Sequence, residues 1–342
     1  MKAIYHLAVE PELLAGLGAT QYVPARFAKD GFVHCCGERE SALAVARDYF
    51  AGARAPVFLL ELEPRSLDAR LVFEAPAPLP GAPRSHLASA EKFPHVYGPI
   101  ALRAVAGAAP LAREGRGFRW PERLAPLGES LGAALAERLA SGEAPGLEAL
   151  RRLRRSHSRA LRKANARVVL ELAAALVESG APGSRVLASE LVLHHPRALD
   201  EIRLRDVRRL AGKLSSWSDV DVFACMISGQ AFRDGRLSET EILRWARSTD
   251  RWWRRAALVS TVPLNVKAQG GRGDAARTLR VCRALLDDRD DMVVKALSWA
   301  LRALCERDPA AVRRFLDAHG NVLALRALRE VRNKLRTGRK SG

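Results

Sequence analysis

Apolar positions along the chain follow two different spacings, and the change from one to the other falls near residue 125. Before it, short apolar runs have the length and content of β-strands: AIYHLA, GFVHCC, PVFLLELEP and GPIALRAVAGAAPL. The segment SALAVARDYFAG lies among them and predicts an amphipathic helix that ends near Gly52. We therefore expect an α+β domain with a small, largely antiparallel sheet, and a loop over the Pro- and Ala-rich stretch EAPAPLPGAPRSHLASAEKFP.

After residue 125 the apolar positions recur with the 3.6-residue period of an α-helix, and nothing alternates like a strand. The segments are LGAALAERLA, NARVVLELAAALVES, SRVLASELVLHH, RLRDVRRLAGKL, ETEILRWARS, RWWRRAALVSTV, ARTLRVCRALL and MVVKALSWALRALCER. Helices in series without strands between them predict an all-α solenoid of HEAT-like repeats. The predicted organisation is an α+β domain over 1–122, a solenoid over 123–336 and a basic tail over 337–342.

Charge is distributed as unevenly as the apolar pattern. The 342 residues carry a net charge of +18, of which +2 falls in residues 1–126 and +16 in the rest. A strongly basic second part predicts a polyanionic partner. Nucleic acid is the usual one, and an anionic membrane surface is the main competitor.

The five cysteines form no C-x-x-C pair, so we expect neither a disulfide framework nor a metal site. The amino-terminal residues MKAIYHLAVEPELL do not have the pattern of a signal peptide, and no apolar run reaches the length of a membrane span. These observations predict a cytoplasmic protein, associated with the nucleoid through DNA and without a membrane partner. The oligomeric state is not readable from the sequence.

Aromatic and charged residues recur at helical spacing in three successive segments of the second part. Trp217 and Asp221 lie four residues apart in WSDVD, so they share one face of a helix. WWRRAAL brings Arg255, and KALSWALR places Lys295 and Trp299 on one face. Each residue alone has an ordinary structural explanation, because a helical Trp usually packs in a core and an Arg usually lies on a solvated face.

Together these three segments resemble the alkylpurine DNA glycosylases built from HEAT-like repeats, the DNA alkylation repair enzyme family, over about residues 165–336. The resemblance lies in W-x-x-x-D with Trp217 and Asp221, in W-x-R-A-A with Arg255, and in K-A-x-x-W-x-L-R with Trp299. It implies hydrolysis of the N-glycosidic bond of N3- or N7-alkylated purines in double-stranded DNA, with no cofactor. It also implies an aromatic cradle of the two tryptophans, Asp221 as electrostatic stabiliser and Arg255 as phosphate clamp.

The residue types suit that chemistry. A purine alkylated at N3 or N7 is a cation, and indole faces attract cations by about 0.5–2 kcal/mol each. Loss of the base develops positive charge on the deoxyribose, which a nearby carboxylate would stabilise. An acid between two tryptophans therefore predicts excision of a cationic base.

The basic run RRLRRSHSRALRKANARV departs from the family's opening repeats. Its Arg and Lys side chains form either a solvated helix face or a set of phosphate contacts, and the sequence leaves both possibilities open. The predicted DNA-binding residues are all basic and lie in three segments: Arg254, Arg255, Lys295, Arg154, Arg155, Arg159 and Lys163.

In the first part, the segments IYHLA, GFVHCC and FPHVYGPI resemble a bacterial domain family of unknown function with an ADP-ribosyltransferase-like fold, over about residues 2–120. By that resemblance His6, His34, His95 and Tyr97 line a cleft, with Glu74 near it, and NAD is the candidate cofactor. From the residues alone, a histidine on a strand is more often a hydrogen-bonded structural residue. No Gly-rich phosphate loop is present in the sequence.

Three functions remain open at this point. The first is a DNA glycosylase in the second part with the first part as an accessory, and the order and types of Trp217, Asp221, Arg255 and Trp299 favour it over the two alternatives. The second is NAD-dependent group transfer by the first part, delivered to DNA by the helices. The third is a non-enzymatic HEAT scaffold that binds DNA.

Overall fold

A computed structural model of the chain describes residues 2–75, 92–142 and 146–340. By its contacts the chain divides into two compact units, residues 1–187 with 194–196 and residues 188–193 with 197–342. The first unit holds the sheets and the first long helices, and the second unit is helical. The boundary predicted at 122/123 lies inside the first unit, between its last described strand and its first long helix, whereas the two compact units divide near residue 187. Most of the predicted loop, residues 76–91, lies outside the described residues.

The described strands all belong to the first unit and all pair antiparallel. They are β1 Ile4–Val9, β2 Gln21–Tyr22, β3 Val33–His34, β4 Val57–Leu62, β5 Arg70–Glu74, β6 Phe93–Tyr97, β7 Ile100–Ala101, β8 Val105–Pro110, β9 Ala112–Glu114 and β10 Gly117–Arg119. Three short helices lie among them: α1 Glu10–Gly16, α2 Phe27–Asp30 and α3 Arg39–Phe50. The small antiparallel sheet predicted from the sequence is thus split into separate sheets.

Two three-stranded sheets, ordered β1-β4-β8 and β3-β6-β5, account for most of these strands. β4 reads VFLLEL and is almost wholly buried, as expected for the central strand of a sheet that is covered on both faces. The core beside it contains Leu7, Leu59, Phe93 and Phe118. In the second sheet His34 lies directly opposite His95, so the register of β3 and β6 brings two imidazoles together.

The remaining helices follow in series to the end of the described chain. They are α4 Leu127–Ala140, α5 Leu147–Ala160, α6 Ala166–Ser179, α7 Ser184–His194, α8 Ala198–Glu201, α9 Leu204–Ala211, α10 Trp217–Phe223, α11 Gly229–Arg233, α12 Glu239–Ala246, α13 Arg251–Val259, α14 Val262–Asn265, α15 Ala275–Arg283, α16 Asp291–Cys305, α17 Pro309–His319 and α18 Leu325–Thr337. A helical second part, predicted from the 3.6-residue period, is confirmed. Within the described ranges, no helix is both long enough and apolar enough to cross a membrane.

The helix ends follow from local sequence. Asn165 caps α6 by accepting a hydrogen bond from the Arg167 amide at 2.8 Å, and the helix ends at Gly180 with a φ of 65°. Asp250 caps α13 and Asp290 caps α16 in the same way. Side-chain acceptors thus fix where the helices that carry the candidate site begin.

Close packing of α4 on α6 depends on glycine. A Cβ at Gly128 or Gly132 would collide with the backbone oxygens of Val168 and Leu172 on the facing helix. The two helices approach one another with backbone contacts that any larger residue would push apart.

We expect Gly132→Ala to lower the free energy of unfolding by about 1–2 kcal/mol, because overpacking outweighs the gain in helix propensity. The matched control is Gly52→Ala, where an added Cβ meets nothing within 4 Å. It should be neutral or slightly stabilising. Urea denaturation of the full chain measures both, and equal midpoints for the two variants would contradict the packing of α4 on α6.

Candidate functional site

The second unit presents an exposed tryptophan at the start of α10. Ser216 caps the helix by accepting from the Asp219 amide at 3.1 Å, and Trp217 follows with 58% of its surface exposed. Most large apolar side chains of the described chain are buried, so such exposure is informative. Asp221 lies one turn further along the same helix, and its side chain is 20% exposed.

Asp221 is held by a buried arginine from another helix. Arg255 of α13 donates from Nε to Oδ1 of Asp221 at 2.9 Å and from Nη2 to Oδ2 at 2.8 Å. Its Nη1 donates to the backbone oxygen of Met292 at 2.6 Å. One guanidinium, only 5% exposed, therefore joins α10, α13 and α16. The two parallel bonds to the carboxylate use the planar fork that distinguishes Arg from Lys.

A pocket of about 510 Å³ opens beside this pair. Its walls combine indole rings with cations, and they are formed by Trp217, Arg255, Met292, Lys295, Trp299, Arg302, Arg326 and Lys340. The pocket thus brings together four of the residues predicted from the sequence. Asp221 is not among the lining residues, but it is bonded to one of them, Arg255.

Two carboxylates hold the cations of the pocket in place. Asp291 accepts from Lys295 at 2.6 Å and from Arg326 at 3.0 Å, and the hydrogen bond from Lys295 is the main reason that its pKa is lowered. Glu330 is nearly buried and accepts from Ser298 at 2.6 Å and from Arg326 at 3.1 Å.

Burial alone would raise the pKa of Glu330, but the hydrogen bonds from Ser298 and Arg326 outweigh it and leave the pKa lowered. The carboxylate also lies 3.8 Å from Arg302 and 3.7 Å from Lys340. A single acidic residue thus orders three of the cations that line the pocket.

The other predicted DNA-binding residues lie elsewhere. Arg254 pairs with Asp288 at 2.7 Å and donates to the backbone oxygens of Ser248 and Thr249, so it holds the segment that leads into α13.

In the first unit, the predicted DNA-binding residues are on α5 and in the turn that follows it. Arg155 and Arg159 are exposed on the helix, Arg154 is half-buried on it, and Lys163 is exposed in the turn. Arg155 lies 3.6 Å from Glu148.

The first unit holds a separate polar cluster on the β3-β6-β5 sheet. Nε2 of His34 lies 3.1 Å from Asp30, and Nδ1 of His95 lies 3.0 Å from Glu74, which also accepts from the Tyr97 hydroxyl at 2.8 Å. Hydrogen bonds from His95 and then Tyr97 lower the pKa of Glu74. An ionised carboxylate can only accept a hydrogen bond, so the imidazole nitrogen that faces each carboxylate carries a proton.

Aromatic and cationic side chains complete this cluster. The Phe32 ring lies 4.2 Å from the His95 ring and 4.7 Å from the His34 ring, centroid to centroid. The two imidazoles are themselves 5.5 Å apart. Arg70 stacks on Tyr97 at 4.7 Å. His34, His95 and Tyr97 thus lie together.

His6 lies apart from this face, deep in the first unit. Its Nδ1 donates to the backbone oxygen of His34 at 2.8 Å, and its ring lies 5.7 Å from that of Tyr22. Nε2 is buried and has no hydrogen-bond partner among the described residues. Burial lowers the pKa of His6 to about 4, so the imidazole is neutral at neutral pH.

Sequence reasoning did not identify several members of these sites. Asp30 stands four residues before His34, which is helical spacing, but this signal is weak because His34 is on a strand. Arg302 stands three residues after Trp299 and is the last residue of the K-A-x-x-W-x-L-R motif. No sequence pattern points to Arg326 or Lys340, because only the tertiary fold brings them to the pocket. Within the described ranges, no group of three or more His, Cys, Asp or Glu is placed to hold a metal ion.

Two family models match different parts of the chain. The family model described as DNA alkylation repair enzyme matches residues 146–335, which is more than half of the chain. A family of unknown function, DUF952, matches residues 9–108. No curated protein matches the chain.

Among solved structures, the chain is similar to protein CC0527 from Caulobacter crescentus and to a double-substituted form of it. The identities are 25% and 24%, and in each case the match covers 34% of this chain and 92% of that chain with a TM-score of 0.28.

The buried His6 predicts a pH dependence of stability. Its folded pKa is about 4 and its unfolded pKa about 6.5, so unfolding takes up a proton between these values and stability falls as the pH is lowered through them. Between pH 7 and pH 4.5 the wild type should lose about 2 kcal/mol more than His6→Gln. His194→Gln, at an exposed position, is the control and should behave like the wild type. Equal losses for all three proteins in urea denaturation would contradict the burial of a neutral imidazole.

Proposed function

The chain belongs to the DNA alkylation repair enzyme family, and from that premise we propose that it hydrolyses the N-glycosidic bond of cationic N3- or N7-alkylated purines in duplex DNA. The observation that carries the proposal is the pocket in which Trp217 and Trp299 stand beside the Asp221–Arg255 pair. No cofactor is needed for this reaction. The succession of helices in the second unit supports a HEAT-like solenoid as its scaffold.

The tryptophans would hold the damaged base. Trp217 exposes more than half of its surface, and covering an indole with a planar ligand recovers hydrophobic free energy. A cationic purine gains a further ~0.5–2 kcal/mol from each indole face. An unmodified purine has no such charge, so this term favours the alkylated base over the normal one.

Asp221 would stabilise the charge that the reaction creates. When the C1′–N bond breaks, its electron pair neutralises the purine and the positive charge moves to the deoxyribose. Water then attacks C1′ and loses a proton, which restores a neutral sugar. A carboxylate whose two oxygens are fixed by Arg255 is preorganised for this charge and needs no rearrangement during the reaction.

Arg255 would then serve both the carboxylate and the DNA. A guanidinium has five N–H donors, and three of them are used by Asp221 and the Met292 carbonyl. Two remain for the phosphate that flanks the lesion, as expected for a phosphate clamp. Lys295 and the other cations of the pocket would bind further phosphates, and Arg154, Arg155, Arg159 and Lys163 would add contacts from the first unit.

We expect Asp221→Asn to slow release of N7-methylguanine and N3-methyladenine from methylated duplex DNA by about 100- to 1000-fold, with little change in DNA affinity. Asp219→Asn is the matched control, because Asp219 is on the same helix, accepts from Ser215 at 3.2 Å and does not line the pocket. Single-turnover excision and fluorescence anisotropy measure the two quantities. Equal rates for wild type and Asp221→Asn would contradict the assignment.

The same experiment distinguishes the glycosylase from a non-enzymatic DNA-binding scaffold. A DNA-binding scaffold would bind duplex DNA with an affinity that falls steeply as salt is raised, and it would release no base from any lesion.

The first unit supports a second candidate, NAD-dependent group transfer by an ADP-ribosyltransferase-like domain. The observation that favours it is the pair of carboxylate-held imidazoles, His34 and His95, beside the exposed guanidinium of Arg70. These residues fit a nucleotide, since the Arg70 guanidinium has no hydrogen-bond partner among the described residues and would bind a pyrophosphate, and Tyr97 adds a hydroxyl. His6 is buried away from this face and would not contact the nucleotide. NAD would supply an ADP-ribosyl group.

If this second candidate is right, 1 mM NAD should raise the melting temperature of the full chain, and His34→Gln should remove the shift because it deletes an imidazole of the cluster. His194→Gln should keep the shift. No shift in the wild type by differential scanning fluorimetry would argue against NAD, whatever the outcome of the excision assay.

A further inference from the structure

The helix that carries Asp221 does not continue as a regular α-helix. α10 leads into a π segment, Ala224–Ser228, in which the Gly229 amide donates to the Ala224 oxygen five residues earlier. One such turn adds a residue to an α-helix, so it rotates the side chains before it by about 100° relative to those after it. The direction in which Asp221 leaves its helix is therefore set by the π segment.

A buried pair of serines joins the π segment to the helix that carries Arg255. Ser228 is its last residue and Ser260 follows α13; both are fully buried, with their hydroxyl oxygens 2.7 Å apart. Ser260 donates to the Ala256 oxygen at 2.7 Å. Since a hydroxyl has one proton, Ser228 must be the donor to Ser260.

Two further contacts hold the widened turn. The Cys225 carbonyl accepts from the Gln230 side chain at 2.9 Å, which satisfies an oxygen in the turn. At Gly229 a Cβ would collide with the Ala224 oxygen and with Pro263 of α14, so the turn lies against that helix without space between them. The π segment is thus fixed by specific contacts and is not a loose irregularity.

We propose that Ser228 and Ser260 are positioning residues for base excision: their hydrogen bond locks the π segment to α13 and keeps Asp221 aligned with Arg255. The inference rests on the proposed function and adds to it the device that sets the geometry of its central pair. Two bonds of 2.8 and 2.9 Å to one carboxylate tolerate a displacement of only about 0.5 Å. A brace between the two helices that carry the partners provides that precision.

The test compares Ser228→Ala with Thr278→Val. Thr278 is also fully buried and accepts from Asn265 at 2.9 Å, so its variant removes a buried hydroxyl bond outside the contacts that join α10 and α13. We expect single-turnover excision to be about 10-fold slower in Ser228→Ala, with DNA affinity unchanged. Thr278→Val should excise at the wild-type rate despite a similar loss in melting temperature.

A second readout does not depend on activity. The Arg255 Nε–H, bonded to Asp221, should exchange slowly with solvent in ¹⁵N NMR spectra of wild type and Thr278→Val, and at least 10-fold faster in Ser228→Ala. Ser260→Ala removes the same bond from the other side and replaces Ser228→Ala if that variant does not fold.

The outcomes are separable. If the wild type excises the base, and Ser228→Ala has the wild-type excision rate and the wild-type Arg255 exchange rate, the positioning role is wrong and the glycosylase assignment stands. If the wild type releases no base, the proposed function fails, and the Arg255 exchange rate alone decides whether the serine pair aligns Asp221.

Discussion

The ion pair between Asp221 and Arg255 is the interaction on which the candidate site depends. Removing one partner from such a pair leaves a charge without compensation and costs about 3–5 kcal/mol when both are fully buried, somewhat less here because Asp221 is partly exposed. The pair also fixes geometry, since one guanidinium bonds α10, α13 and the first turn of α16. The tryptophans of the pocket are on two of these helices, so their separation follows from the same contact.

The cations that line the pocket restrict which ligand it can bind. Its described walls carry several cations, and the carboxylates that pair with these cations are not among the lining residues, so a free cationic base would meet repulsion there. A base attached to a phosphodiester backbone brings its own anions, which these cations would bind. The indole faces then supply the attraction that is specific for a cationic ring. This division of tasks suits a lesion within DNA better than a free nucleoside.

Much of the fold follows from local pattern, and much of the site does not. The 3.6-residue spacing located α16, and the i, i+4 spacing placed Trp217 and Asp221 on one face, because both depend only on neighbours in sequence. The bond from Arg255 to Asp221 joins residues 34 positions apart and appears only when the helices pack. The π segment reads as ordinary helix in the sequence, since a single added residue leaves the apolar pattern almost unchanged. In the first unit the resemblance named the histidines and Glu74, but the hydrogen bonds of Glu74 to His95 and of Asp30 to His34 join different elements and appear only in the fold.

The most direct test of this account is a double-mutant cycle on the single-turnover excision rate, with Asp221→Asn, Arg255→Met and both together. The rates are measured at saturating enzyme, which offsets the weaker DNA binding expected when the Arg255 phosphate contact is lost. If Arg255 acts on the chemical step by holding the carboxylate, the double variant should then be no slower than Asp221→Asn alone, because the second change removes a function that is already lost. Losses that multiply would contradict this, and would show that the two residues contribute independently to excision.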